Sequence, residues 1–303
     1  LILCLLLGAC KNGNASSQSK SETPQDTIKA IKMPAIPQMM TAPEQRADFL
    51  AKHYWDNVNF ADTNYIHHPE VTEQAWADYC DLLNHVPLET AQQAMRNVID
   101  RTNVDKKVFT YITDLADKYL YDPNSPMRNE EFYIPVLEAM IASPVLNETE
   151  KIRPQARLKL AQKNRIGTKA LNFTYTLASG AQGSLYQLKA EYLLLFINNP
   201  GCQACTETIE GLKNAPIINQ LLQEKKLVLL SIYPDEELDE WKKHLSEFPN
   251  EWINGYDKKF TIKEEQVYDL KAIPTLYLLD KDKTVLLKDA TAPAIEAYLM
   301  QHQ

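Results

Sequence analysis

Six consecutive apolar residues, Tyr192-Leu193-Leu194-Leu195-Phe196-Ile197, constrain the fold of this chain most strongly. A strand with one face in water alternates apolar and polar side chains, whereas a strand apolar at every position must be covered on both faces. Crossover helices supply that cover, so the run predicts an α/β sheet. The sequence beyond it agrees. Its patterning predicts helices over 202–222, 238–248, 263–270 and 291–301. Between them it predicts a buried strand over 227–233, a short strand over 251–256, and strands over 275–279 and 284–288 joined by Asp280-Lys281-Asp282-Lys283. Ahead of the run, Leu171, Phe173, Tyr175 and Leu177 alternate as a strand over 171–178. Ser179-Gly180-Ala181-Gln182-Gly183 reads as a turn and 185–190 as the returning strand of a hairpin.

Upstream of Gly167 the periodicity is different. Between Thr41 and Lys163 apolar residues recur at helical spacing, as in Ala75, Trp76, Tyr79, Leu82 and Leu83. Six helices are predicted, over 43–57, 72–84, 87–102, 105–121, 129–141 and 148–163. The fold class expected is α+α/β: an all-α domain over 41–165, then an α/β domain over 167–303. A length of 303 residues suits two domains of about 100–200 residues each.

The first nine residues, LILCLLLGA, are too short for a membrane-spanning helix, which needs about 20 residues, but suit the apolar core of a signal peptide. They run into Leu7-Gly8-Ala9-Cys10, which resembles the lipobox of bacterial lipoproteins. The resemblance implies that 1–10 is a signal segment ending at a lipidated Cys10. The start at Leu1, with no Met and no basic stretch, implies that further residues precede it. Residues 11–40 are rich in Ser, Asn, Gln, Lys and Pro and read as a flexible tether. The expected address is a membrane-anchored lipoprotein on the periplasmic side, with the cell surface as the alternative. Lys11-Asn12-Gly13-Asn14 lacks an acidic run of the kind that marks surface export. A formal net charge of -8 without clustered Lys or Arg excludes nucleic acid as a partner.

Five cysteines are too few for a disulfide scaffold. Their placement is more telling. Cys202 follows the buried strand and opens a helix, where free N–H groups and the helix dipole favour a thiolate. Cys205, one turn on, can resolve a mixed disulfide. Cys202 is thus the candidate nucleophile and Cys205 the resolving thiol. A zinc site needs two further ligands at paired spacing. Neither Cys80 nor His53, His67, His68, His85, His244 or His302 supplies it, so no metal is expected. His67-His68-Pro69-Glu70 reads as a loop. Cys80, on an apolar helical face with Trp76 and Leu83, reads as an inert buried thiol. A mixed disulfide between it and the C-terminal pair is the alternative. A peroxiredoxin is excluded because Asn199 stands where a Thr is wanted. Tyr54, Trp55, Trp76 and Tyr79 read as core, with a carbohydrate platform as the alternative.

The order strand, Cys202-Gln203-Ala204-Cys205 at a helix start, strand, helix, strand, helix, then Ala272-Ile273-Pro274-Thr275-Leu276 entering a hairpin, resembles thioredoxin. With the extra N-terminal hairpin it is most similar to membrane-anchored thiol–disulfide oxidoreductases of the TlpA/ResA type, over 167–303. The resemblance implies a cis Pro274 facing the cysteines and an Ile273 backbone that pairs with an extended substrate. It implies reduction of disulfides in exported proteins, an electron donor in a membrane thiol relay, and no cofactor beyond the redox-active Cys202–Cys205 disulfide. The chain departs from the family at Pro200-Gly201, where a Trp usually precedes the first Cys, and at Gln203-Ala204. The strand also lacks the carboxylate that many relatives hold near the second Cys, leaving Glu207 or Glu210 as candidates. The stretch FADTNYIHHPEVTEQAWADYC and the helical arrangement resemble the uncharacterised helical domain (DUF5106-like) found ahead of thioredoxin-like domains in Bacteroidetes lipoproteins. That domain carries no known activity. The competing readings are a binding or scaffold lipoprotein with a redox-inert thioredoxin-like domain, and a disulfide oxidase or isomerase.

Overall fold

The computed structural model describes residues 30–302, so the apolar run 1–9 and Cys10 lie outside the described residues. Six α-helices come first: α1 (Pro43–His53), α2 (Pro69–Leu83), α3 (Leu88–Arg101), α4 (Lys106–Ala116), α5 (Glu130–Ala142) and α6 (Glu148–Ala161). Their starts are set by local chemistry. Pro43 and Pro69 sit in first turns, where a missing N–H costs nothing. Asp105 and Asn129 accept backbone N–H bonds that would otherwise be orphaned, and Asn147 with Glu150 forms a capping box. Trp76, Tyr79, Met95, Ile99, Phe109 and Leu137 fill the core between the helices. Tyr54, Trp55, Trp76 and Tyr79 pack ring against ring inside it, with no face left for a sugar. Cys80 is a free thiol in the same core, where burial pushes its ionisation up. Two details differ from the expected elements. A 3₁₀ turn (Thr63–His67) precedes α2, and α4 runs into a single π turn (Asp117–Tyr121) that carries Tyr121 to the surface between the two halves.

The second half is a seven-stranded mixed sheet ordered β2-β1-β5-β4-β3-β6-β7. Its strands are β1 (Thr174–Leu177), β2 (Gln182–Ser184), β3 (Tyr192–Ile197), β4 (Leu227–Tyr233), β5 (Ile253–Tyr256), β6 (Thr275–Asp280) and β7 (Val285–Lys288). β3 pairs in parallel with β4 and antiparallel with β6, and β4 pairs in parallel with β5. Along β3, Leu194 and Phe196 face a core built with α7 (Gln203–Lys213), α8 (Pro216–Gln223) and the terminal helix (Ala292–Gln301). Leu193, Leu195 and Ile197 face the other core, with Phe173, Ile262, Tyr268 and Tyr277. Both faces are covered, as an uninterrupted apolar strand requires, but the second cover consists mostly of irregular chain.

Three sequence expectations are corrected here. The hairpin returns through Gln182–Ser184, not 185–190. Gly183 is a strand residue lying under the Tyr175 ring, where a Cβ would come within 2.6 Å of the ring carbon Cζ. The helix expected over 202–222 is broken at Pro216, which cannot donate an N–H and turns Ala215 out of helical geometry. The helix expected over 263–270 stops after Thr261–Glu264. Beyond it the backbone is tied to the helical half: Lys163 Nζ donates to the carbonyls of Glu265 and Gln266, at 3.2 and 2.6 Å, and Asn164 Nδ2 donates to Val267 O at 2.7 Å.

The same junction holds a buried ionic cluster. Lys271 Nζ lies 3.0 Å from Glu130 Oε1, 3.2 Å from Asp269 Oδ2 and 3.1 Å from Asp289 Oδ2. Lys288 pairs with the other oxygen of Glu130 and donates to Lys163 O at 2.7 Å. The Lys271 side chain is 7% exposed. Burial works against its ammonium, but Asp289, Glu130 and Asp269 outweigh burial and raise its ionisation above the ordinary lysine value. Removing that charge leaves three buried carboxylates with one lysine. Lys271→Met is expected to cost about 3 kcal/mol or more at pH 7. Lys52→Ala, which removes an exposed pair with Asp48, is expected to cost less than about 1 kcal/mol. Urea unfolding of the two variants checks this contrast, and equal losses would contradict it.

Candidate thiol site at the start of α7

The chain leaves β3 through Asn198-Asn199-Pro200-Gly201, and each step is pinned. Asn198 Nδ2 donates to Ser231 Oγ at 2.8 Å, and its N–H donates to Ile232 O at 3.0 Å. Asn199 Nδ2 donates to Asp235 Oδ2 at 2.8 Å. Burial raises the Asp235 carboxyl, but Lys263, 2.7 Å from its other oxygen, and Asn199 together hold it below the usual range. Gly201 then turns the chain at φ +70°, a left-handed geometry that glycine adopts without steric cost.

Cys202 is the N-cap of α7. Its Sγ accepts the N–H of Cys205 at 3.2 Å and donates to Ile273 O at 3.7 Å. The Ile273-Pro274 peptide is cis. The structure thus brings together Cys202, Cys205 and Ile273, with Pro274 beside them, from positions some 70 residues apart. Cys202 is half-buried, whereas Cys205 is 2% exposed. Both are thiols here. Burial, reinforced by the hydrogen bond with Cys202 and opposed by the Asn199 backbone, pushes the Cys205 thiol up to about 12.

Neither candidate carboxylate stands beside Cys205. Glu207 accepts from Gln203 Nε2 at 2.9 Å, and Glu210 pairs with Lys213 at 2.8 Å, both on the exposed face of α7. A glutamate two or five residues after a core-facing cysteine is turned away from it by the helical repeat of 3.6 residues. His67 and His68 do not converge on a common point: His68 Nδ1 meets the exposed Glu70 at 3.1 Å, and His67 ends the 3₁₀ turn. Asn199, Asp235 and Lys263 were not readable as site residues. They are far apart in sequence, and Asn199 registers there only as the absence of a Thr.

Two family models match the chain: a domain of unknown function (DUF5106) over residues 9–164, and a thioredoxin-like domain over residues 190–285. No curated protein matches it. Among solved structures, a thioredoxin-like protein from Bacteroides caccae is 84% identical, covering 91% of this chain and 100% of that one, with a TM-score of 0.89. The C-terminal domain of an uncharacterized protein from Bacteroides fragilis is 69% identical over 45% of this chain and 98% of that one, with a TM-score of 0.45. The thioredoxin domain of a thiol-disulfide oxidoreductase from Bacteroides vulgatus is 19% identical over 46% of this chain and 97% of that one, with a TM-score of 0.41. A helical region followed by a thioredoxin-like domain with a mixed sheet places this chain in the family of thioredoxin-like proteins that carry a DUF5106 domain at the N-terminus.

Proposed function

We propose that this protein is a thiol–disulfide oxidoreductase that reduces disulfides of exported proteins. The observation that carries the reading is the asymmetry of the pair: Cys202 half-exposed at a helix N-cap, Cys205 buried one turn behind it, and the Ile273 carbonyl across from Cys202 Sγ. In the first step the Cys202 thiolate attacks one sulfur of the substrate disulfide. The substrate S–S bond breaks, its other sulfur leaves as a thiolate, and a mixed disulfide forms. Cys205 then attacks Cys202 Sγ, and the mixed disulfide breaks. The proton of Cys205 ends on the departing substrate thiol. Two electrons have passed to the substrate, and Cys202 and Cys205 are left as a disulfide. A membrane thiol relay is the electron donor that restores the dithiol, and no other cofactor takes part. Ile273 and Pro274 form the edge against which the substrate strand lies.

The location belongs to the same proposal. The apolar segment ending at Cys10 and the polar stretch after it support a lipid anchor, a tether and a periplasm-facing catalytic unit. Among the described residues no helix is long and apolar enough to cross a membrane. Labelling of growing cells with a tagged fatty acid is expected to mark the protein, and Cys10→Ser to lose the mark. Label retained on Cys10→Ser would contradict the anchor.

A high resolving-thiol pKa makes release of substrate pH-dependent. Cys205→Ser is expected to accumulate mixed disulfides with an oxidised protein substrate, and Cys202→Ser to form none, as read by non-reducing electrophoresis and mass spectrometry. In the unaltered protein, decay of the mixed disulfide is expected to accelerate from pH 7 to pH 10, because the reactive thiolate fraction of Cys205 rises about tenfold per pH unit below its pKa. Covalent capture by Cys202→Ser would reverse the roles of the two cysteines, and no capture by either variant would remove the enzyme reading.

A further inference from the structure

A cavity of about 470 Å³ opens beside Ile273, and both halves of the chain line it. The helical half contributes Tyr121 and Leu160; Leu270 and Ile273 lie opposite. Tyr121 ends the π turn after α4. Its ring is held by Arg157, whose Cζ lies 4.1 Å from the ring centre, and by Lys271 Nζ at 5.4 Å. The charges in the lining are matched within it. Asp235 pairs with Lys263 at 2.7 Å and Asp269 with Lys271 at 3.2 Å. What remains to meet an occupant is Gln266 and four apolar side chains: Tyr121, Leu160, Leu270 and Ile273 are all only partly buried.

The position of the reacting sulfur identifies the occupant. Cys202 Sγ lies 3.7 Å from Ile273 O, so a polypeptide joined to Cys202 in the mixed disulfide must pass over Ile273. Ile273 also lines this cavity, which puts the residue next to the polypeptide's cysteine within reach of it. A neutral, half-apolar recess accepts an uncharged bulky side chain and disfavours a carboxylate, which would lose water without gaining a free cation.

We propose that the helical domain forms one wall of the substrate cleft, with Tyr121 and Leu160 selecting protein disulfides whose reacting cysteine is flanked by a bulky apolar residue. This inference rests on the oxidoreductase reading above and gives the DUF5106 domain a role in choosing substrate. The reacting groups remain Cys202 and Cys205; Tyr121 and Leu160 act only on the flanking residue.

Two disulfide-linked peptides that differ only in Phe or Asp beside the cysteine test it, together with 2-hydroxyethyl disulfide, which has no flanking residue. The unaltered full chain is expected to favour the Phe peptide in kcat/KM by about tenfold, the low end of what one apolar side chain contributes to selection. In Leu160→Ser and in Tyr121→Ala that preference is expected to fall to about threefold or less. The ratio of the two peptides cancels any general change in the reactivity of Cys202. Should Tyr121→Ala fail to fold, Leu160→Ser at its partly exposed position decides. A peptide ratio near one in the unaltered protein, or an undiminished ratio in the folded variants, overturns the inference while reduction of 2-hydroxyethyl disulfide keeps the oxidoreductase reading intact. Failure to reduce any of the three disulfides overturns that reading and the inference with it.

Discussion

Lys271 is the point on which the two halves of this protein turn. It stands two residues before Ile273, and its ammonium is shared among Glu130 of α5, Asp269 of its own segment and Asp289 beyond β7. The chain from Glu265 to Pro274 has little regular structure, so its backbone groups need partners from elsewhere. The turn just after α6 supplies several of them, through Lys163 and Asn164. Buried charges are a poor source of net stability, because desolvation offsets most of the attraction. What they do supply is a single acceptable arrangement, since moving the segment would part Lys271 from Glu130 and Asp289 and leave Asp289 without its lysine. The segment that carries the carbonyl opposite Cys202 is tied to the helical half as well as to the sheet.

The proposed reaction divides two tasks between two sulfurs. Cys202 is reachable, bonded to a helix N–H and to the Ile273 carbonyl. Cys205 lies in apolar surroundings that keep it protonated at neutral pH. In the proposed reaction the deprotonation of the inner thiol sets how long a mixed disulfide persists. Glu207 and Glu210 both face solvent, so neither relays the proton of Cys205.

Much of this was legible in the sequence because it is local. The apolar strand 192–197, the cysteines at a helix start and the six helical stretches each depend on residues within one or two turns of each other. Where the reading failed, the deciding contact was distant or the cue had two meanings. Gly183 looked like a turn residue and is instead a strand residue beneath Tyr175. The stretch 263–270 has helical spacing, yet its carbonyls accept from side chains about a hundred residues away. Pro216 is the exception, a local helix breaker that the predicted helix over 202–222 passed over. Nothing in the sequence links Glu130 to Lys271 across 141 positions, so the part played by the helical domain is visible only in three dimensions.

The claim that underlies all of this is that Cys202 and Cys205 interconvert between dithiol and disulfide as a working couple. Equilibration of the full chain in glutathione and dithiothreitol buffers, followed by differential alkylation and mass spectrometry of the Cys202–Cys205 peptide, measures it directly. A reductase is expected to show a reversible two-electron transition near or below the potential of thioredoxin, about −270 mV. A markedly higher midpoint would make the protein a disulfide oxidase or isomerase, and a pair that never exchanges would contradict the account.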